Sequence, residues 1–404
     1  MKYTPRVLAL LLVLFVLTGC SQSQETQPTE TTTEATQATT AATEAPTQDT
    51  EPPTQTQAVE ISVVLDPGPS VYVDGISITS TGLNGETVYV SATEFCAALG
   101  GETYADGTAT LDYNEVHYTF SPEYEHIMRG EKATVLLSPV VNFLNQAYLP
   151  LEEMCELMQI SVFWDTEENT VYCTPAAWAG EIAEGYNVPV LMYHAVDNDL
   201  WGIDELFVKP ENMADQLQWL NDNGYETIFF EDLYHIEDYE KPVLLTFDDG
   251  YLDNYAQLFP LLQEYNCKAT IFVIQQYIDN DEHYMTTVQV REMAASGLVS
   301  IQSHTVTHPY LSDLDIEEQR YELEQSKLLI TRMTLREPYV LCYPTGKYNS
   351  DTLEIIGDSY QFGIKMNGGL YNTSDSPFEI NRYYISRDTG MSSFEAKVSE
   401  GFDD

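Results

Sequence analysis

From residue 188 onward, short apolar runs alternate with longer amphipathic ones, and this alternation limits the possible folds more than any other feature of the chain. Residues 188–193, 243–247, 269–273, 299–303, 339–342 and 383–386 read as strands, with 227–230 extended. Residues 211–223, 254–265, 287–295 and 316–335 carry helical spacing between them. Strands that are apolar on both faces need cover on both faces, so the pattern predicts an α/β fold with a parallel sheet clothed in helices.

One strand ends abruptly in charge. Leu244-Leu245-Thr246-Phe247 runs straight into Asp248-Asp249-Gly250. Side chains alternate along a strand, but at its C-terminal end the backbone turns, so both carboxylates can reach one cleft with different partners. One acid could then ligate a cation while the other takes a proton. The same tripeptide ahead of a helix is also ordinary capping chemistry. A second strand tip narrows the choice: Val299-Ser300-Ile301-Gln302-Ser303 leads into His304-Thr305-Val306-Thr307-His308. Two imidazoles at i and i+4 on a helical turn share a face and can bind one cation. Asp249 would complete a three-ligand set with positions left for water and substrate. His-x-x-x-His alone is a weak signal, and its pairing with Asp-Asp-Gly is what gives it weight.

Thr246 to Gly250 and Ser303-His304-Thr305-x-x-His308-Pro309 resemble the first two motifs of the polysaccharide deacetylases, the family four carbohydrate esterases. Flanking stretches are similar too: Val188-Pro189-Val190-Leu191-Met192-Tyr193-His194, Asn223-Gly224-Tyr225, Lys268 to Val273, and Tyr343-Pro344-Thr345-Gly346-Lys347-Tyr348-Asn349. The resemblance covers residues 186–404 and implies an irregular barrel of about seven strands with its chemistry at the strand C-termini. It implies Asp248 as general base and Asp249, His304 and His308 as ligands of a divalent metal, most simply zinc, with cobalt, nickel, iron or manganese as alternatives. Such an ion would acidify bound water and polarise an acetyl carbonyl. The backbone N–H of Thr345 would stabilise the oxyanion. Two positions depart from the family pattern. Cys342 stands where most members have an arginine that pairs with the catalytic aspartate, and Lys365 or Arg382 could replace it. Ile385-Ser386-Arg387 stands where a Leu-x-His usually supplies the acid, so the chain must recruit another group, with His194 at the end of the first strand as the candidate, return the proton through Asp248, or turn over slowly.

Outside that region the chain changes character. Lys2 and Arg6, an apolar core at 7–16 and Leu17-Thr18-Gly19-Cys20 resemble a bacterial lipoprotein signal. The resemblance implies cleavage after residue 19, lipid on Cys20, and a place on the extracellular face of the bacterial cell membrane. Residues 20–58 are almost all Thr, Gln, Glu, Ala and Pro and read as a solvated tether. Residues 59–175 contain an internal repeat: Tyr89 to Leu99 matches Tyr148 to Met158 at constant offset, each unit reading as strand, helix and strand pair. This resembles the stalk domain of copper amine oxidases, which implies a spacer or wall-binding element. No metal set accompanies His117 or His126 there.

The formal net charge of −47 over 404 residues excludes nucleic acid and other polyanions as natural partners. Besides Cys20 there are Cys96, Cys155, Cys173, Cys267 and Cys342, an odd number without paired spacing, so buried thiols are expected instead of a disulfide framework. The resemblance therefore leads to an expected metal-dependent hydrolase of N-acetyl groups on a cell-surface N-acetylglucosamine polysaccharide, poly-N-acetylglucosamine or peptidoglycan. An inactive glycan-binding protein and an O-acetyl xylan esterase are the alternatives.

Overall fold

Seven of the eight parallel strands of the main sheet follow one another almost in chain order, the eighth being the short Glu226–Thr227 beside Pro242–Phe247, and this ordering brings distant strand tips onto a single rim. The computed structural model describes residues 65–114, 116–175, 181–366 and 368–402. The expected signal segment, Cys20 and the tether lie outside the described residues.

The strands are β1 (Val190–Tyr193), β2 (Pro242–Phe247), β3 (Ala269–Val273), β4 (Val299–Ser303), β5 (Val340–Cys342), β6 (Phe362–Ile364) and β7 (Tyr383–Tyr384). Their order is β6-β5-β4-β3-β2-β1-β7, every pair parallel. A parallel bridge from Ile364 to Ile380 spans from β6 toward the segment that leads into β7. Alternation decides which residues face where. Leu245, Phe247, Ile271 and Val273 pack outward against the helices Pro210–Asp222, Phe259–Tyr265, Thr287–Ala295 and Met391–Ser399. Leu244, Phe272, Val340, Cys342 and Phe362 fill a second core on the other face. Burying both faces is why the strands read as continuous apolar runs.

Three local expectations are corrected. Residues 227–230 are not one extended run: a two-residue strand, Glu226–Thr227, gives way to a tight helix at Phe230–Asp238, whose first turn is capped by Asp232 accepting from the Phe229 N–H at 2.8 Å. The helix expected over 254–265 opens with a wide π-type turn at Asn254–Leu258 before becoming α-helical. Pro260 lies just inside the α-helix and has no N–H to donate to Ala256, so the ladder is interrupted there. Residues 304–308 form a loop and not a helical turn, for reasons given below.

Before Asn187 the described elements include two strand–helix successions, Thr87–Ser91 into Ala92–Ala98 and Gln146–Pro150 into Leu151–Met158, whose strands pair antiparallel. Cys96, Cys155 and Cys173 are buried in the core these elements share, and all five described cysteines are unpaired thiols.

Candidate active site

Along β2, Leu244, Thr246 and Asp248 share a face by the two-residue period of a strand. That face meets Arg382, which lies just before β7 and is fully buried. Its Nη1 donates to Asp248 Oδ1 at 2.7 Å and its Nη2 to Asp248 Oδ2 at 2.8 Å. The remaining donor capacity goes to Thr246 Oγ1 (3.1 Å), Cys342 Sγ (3.2 Å) and the Lys365 carbonyl (3.2 Å). A planar guanidinium matches a carboxylate with two parallel bonds, which a lysine ammonium cannot do. Of the two candidate replacements, Arg382 therefore takes the place, and Lys365 contributes only its carbonyl. Burial alone would raise the Asp248 carboxyl, but the charge and hydrogen bonds of Arg382 outweigh it and hold Asp248 well below the usual carboxylate range.

Asp249 turns away from its neighbour because its φ is +75°, and Gly250 follows at +80°. A Cβ on Gly250 would lie 2.9 Å from Val273 Cγ1, so both conformation and space call for glycine. The turned carboxylate meets the second strand tip, with Oδ1 3.6 Å from His304 Nε2 and 3.8 Å from His308 Nε2. Burial, and after it the nearby Asp249 carboxylate, push the Tyr251 phenol above its usual range.

At the end of β4, His304 Nδ1 donates to the Cys342 carbonyl at 2.8 Å. A carbonyl only accepts, so the proton sits on Nδ1 and the Nε2 lone pair faces Asp249. Burial pushes the His304 imidazole down to about 4, which keeps it neutral and able to ligate near neutral pH. Thr305 and His308 have φ of +66° and +58°, which no helical turn contains. Glu322 imposes this loop from the helix Ile316–Thr334: its carboxylate accepts from the Val306 N–H (2.8 Å), the Thr307 N–H (3.0 Å) and the Thr307 hydroxyl (2.6 Å). Thr305 Oγ1 accepts from the His308 N–H at 3.1 Å. The two histidines thus meet as adjacent rings, 4.7 Å between centroids.

These residues fit a divalent cation. One donor atom each from Asp249, His304 and His308 lies within 4.8 Å of the others. Ligands about 2.1 Å from a shared ion stand roughly 3.0–3.4 Å apart, so each histidine needs to close on Asp249 by only a few tenths of an ångström. The carbonyl-fixed tautomer of His304 is the outer-shell arrangement expected of a ligating histidine.

His194 follows β1, with Nε2 3.9 Å from Asp248 Oδ2 and its ring edge-on to Tyr384. Its Nδ1 is buried without a hydrogen-bond partner among the described residues. The backbone behind it is pinned by the π-type turn: Asn254 Nδ2 donates to the His194 carbonyl (2.9 Å), and Asp253 Oδ1 accepts from the Val196 N–H (2.8 Å). Thr345 lies in the turn after β5, on the same rim, at φ +53°. Arg387, where a histidine was sought, donates instead from Nη1 to the Phe207 carbonyl at 3.2 Å and from its N–H to the Glu205 carbonyl at 3.0 Å.

The sequence reading missed two contributors. Tyr251 stands two residues beyond Asp249, and its adjacency to the motif was the available signal. Glu322 has none, since an acid within a charged amphipathic helix looks solvated until the tertiary fold buries it.

The family profile described as polysaccharide deacetylase matches residues 235–360. YxkH of Bacillus subtilis, which carries a polysaccharide deacetylase designation, is 35% identical over 217 residues, covering 52% of this chain and 76% of that protein. The poly-beta-1,6-N-acetyl-D-glucosamine N-deacetylase of Escherichia coli K12 is 26% identical over 259 residues, 52% of this chain but only 38% of that protein. Among solved structures, the Streptococcus pyogenes deacetylase PplD in complex with acetate is similar at TM-score 0.50 and 29% identity, over 53% of this chain and 99% of that one. BC0361, a polysaccharide deacetylase from Bacillus cereus, shares the fold at TM-score 0.51 and 24% identity, over 70% of this chain and 98% of its own.

Proposed function

This chain belongs to the polysaccharide deacetylase family, and from that premise we propose that it hydrolyses the N-acetyl groups of an N-acetylglucosamine polymer at the cell surface. The observation that carries this reading is the division of labour at one strand tip. Asp249 joins two histidines in a cation-binding set, while Asp248, kept ionised by Arg382, stays out of that set and beside it. The polymer is suggested by relatives named for poly-beta-1,6-N-acetyl-D-glucosamine, of which this chain spans only part.

A divalent ion held by Asp249, His304 and His308, zinc in the simplest case, would polarise the acetyl carbonyl and acidify water beside Asp248. Asp248 accepts the water proton. Held well below the usual carboxylate range by Arg382, Asp248 is a weak base, so the water it deprotonates would need the acidification that a bound cation supplies. The Thr345 N–H, in the turn after β5, would be the donor to the developing oxyanion. His194 gives the leaving amine its proton: its ring is close to Asp248, and the arginine at the usual acid position is engaged elsewhere. In the same reading the sheet curves into an irregular barrel over 186–404, residues 59–175 serve as a copper amine oxidase-like stalk, and Cys20 carries lipid that anchors the protein outside the cell.

Purified protein given N-acetylglucosamine oligomers with zinc, cobalt, nickel or manganese should release acetate. Asp248→Asn should abolish release while retaining the metal, because it removes the base and leaves the ligands in place. Release from acetylated xylan alone would move the assignment to an ester substrate, and full activity in Asp248→Asn would overturn the mechanism.

A further inference from the structure

Between two short paired strands, Ala195–Val196 and Phe207–Val208, the chain makes a ten-residue excursion that no part of the chemistry above uses. At its near end, Tyr384 donates its hydroxyl to the Glu205 carbonyl at 3.2 Å, and Tyr384 is the ring packed against His194. At its far end, Trp201 sets its ring at right angles to Tyr251, 4.7 Å between centroids, and Tyr251 follows Asp249-Gly250 in the chain, with its phenol pKa raised in part by the Asp249 charge. The loop therefore runs along the rim from the proposed proton donor to a proposed metal ligand.

Its tip is apolar and open to solvent. Leu200, Trp201 and Ile203 are 43%, 37% and 64% exposed, within four consecutive positions of a strongly acidic chain. Trp201 is nevertheless firmly placed, with Phe207 5.1 Å and His283 4.5 Å away by ring centroids, in addition to Tyr251. Arg387 ties the loop base to the rim through the Glu205 and Phe207 carbonyls. A tryptophan buttressed by three rings with over a third of its surface free is a preformed stacking surface, because little order is lost when something covers it.

Given the deacetylase reading, on which this step rests, we propose that Trp201 is a glycan-binding platform: it stacks against a pyranose ring adjacent to the one whose acetyl group is removed. Sugar rings present an apolar C–H face and a polar edge, which suits an aromatic surface bordered by Asp197, Asp199, Asp204 and Glu205. Those carboxylates also disfavour an anionic membrane surface as occupant, and they suit the free amines of a partly deacetylated chain.

The test compares Trp201→Ala and Trp201→Phe with the unaltered protein on N-acetylglucosamine oligomers and on 4-nitrophenyl acetate, which is too small to reach the platform. Trp201→Ala should raise KM for the longer oligomers at least tenfold and leave the aryl ester rate near normal, and Trp201→Phe should recover most of the loss. Unchanged oligomer KM in Trp201→Ala overturns the proposal, as does a parallel fall on both substrates that Trp201→Phe does not recover, since that marks a structural role. Calorimetric titration of the same oligomers into the Asp248→Asn protein, with and without Trp201→Ala, decides the matter even if no glycan is deacetylated. In that case the platform stands if the affinity difference persists and falls if it does not. Flotation with phosphatidylcholine and phosphatidylglycerol vesicles supplies the last arm: vesicle binding that depends on Trp201, with oligomer kinetics unaffected, reassigns the loop to a membrane.

Discussion

The two ends of the parallel sheet are built from the same kinds of charged residue and use them in opposite ways. At the N-terminal end, Arg332 holds Asp165 with an Nη2–Oδ1 bond of 2.8 Å, Arg336 pairs with Asp74 at 3.0 Å, and the Glu337 N–H donates to Thr174 Oγ1 at 3.0 Å. These contacts join the strands before residue 176 to the end of the helix Ile316–Thr334 and its connection to β5, where Asp74 and Leu335 also have positive φ but every named charge is paired. At the C-terminal end, Asp249, Thr305, His308 and Thr345 all have positive φ, and the His194 Nδ1 lacks a partner among the described residues. Each such residue costs on the order of 1 kcal/mol or more, which a fold retains where the geometry is used. The difference teaches that charge at one end holds parts together, while charge at the other is arranged to act on something else.

The most severe way to break that contrast is Arg382→Met. It leaves the Asp248 carboxylate buried and uncompensated, so stability should fall by roughly 3–5 kcal/mol in denaturant unfolding, and acetate release should fall with it. An unchanged unfolding midpoint would show that Asp248 has another partner. Acidification probes the same rim. His304 binds a proton near pH 6.5 when unfolded but only near 4 when folded, so in cation-free protein the unfolded state holds more protons between those values. Stability should fall as pH drops from about 6.5 to 4, by roughly 3 kcal/mol, and His304→Asn should flatten the profile.

Glu322→Gln sharpens the comparison further, since it touches neither ligand nor base. Metal affinity by competition titration should weaken about tenfold or more as the His304–His308 loop loosens, with a smaller effect on unfolding. The smallest effect belongs to the opposite end: Arg332→Ala should cost about 1 kcal/mol, because the guanidinium is partly exposed, and leave kcat unchanged. A large loss of turnover there would mean that the two ends are coupled.

The positions of the main strands, the two chemical tips and the buried thiols were legible in the sequence because they depend on local periodicity and on residues close together in the chain. The alternation of Leu244, Thr246 and Asp248 already sends one acid inward, and Asp249-Gly250 already marks a turn. The His304–His308 spacing was read as a helical turn because i, i+4 suggests one, whereas the loop is dictated by Glu322 reaching back from 15 and 16 residues away.

What the sequence alone determined, then, is which side chains arrive at the rim, since a parallel sheet delivers every strand tip to one edge. What only the tertiary structure decided is how each is paired. Arg382 finds Asp248 across 134 residues of chain, and the Cys342 carbonyl fixes the proton of His304 across 38. Periodicity records which residues are buried, but a buried charge or imidazole takes its partner from whatever donors share its pocket, and that pocket exists only after the strands have packed.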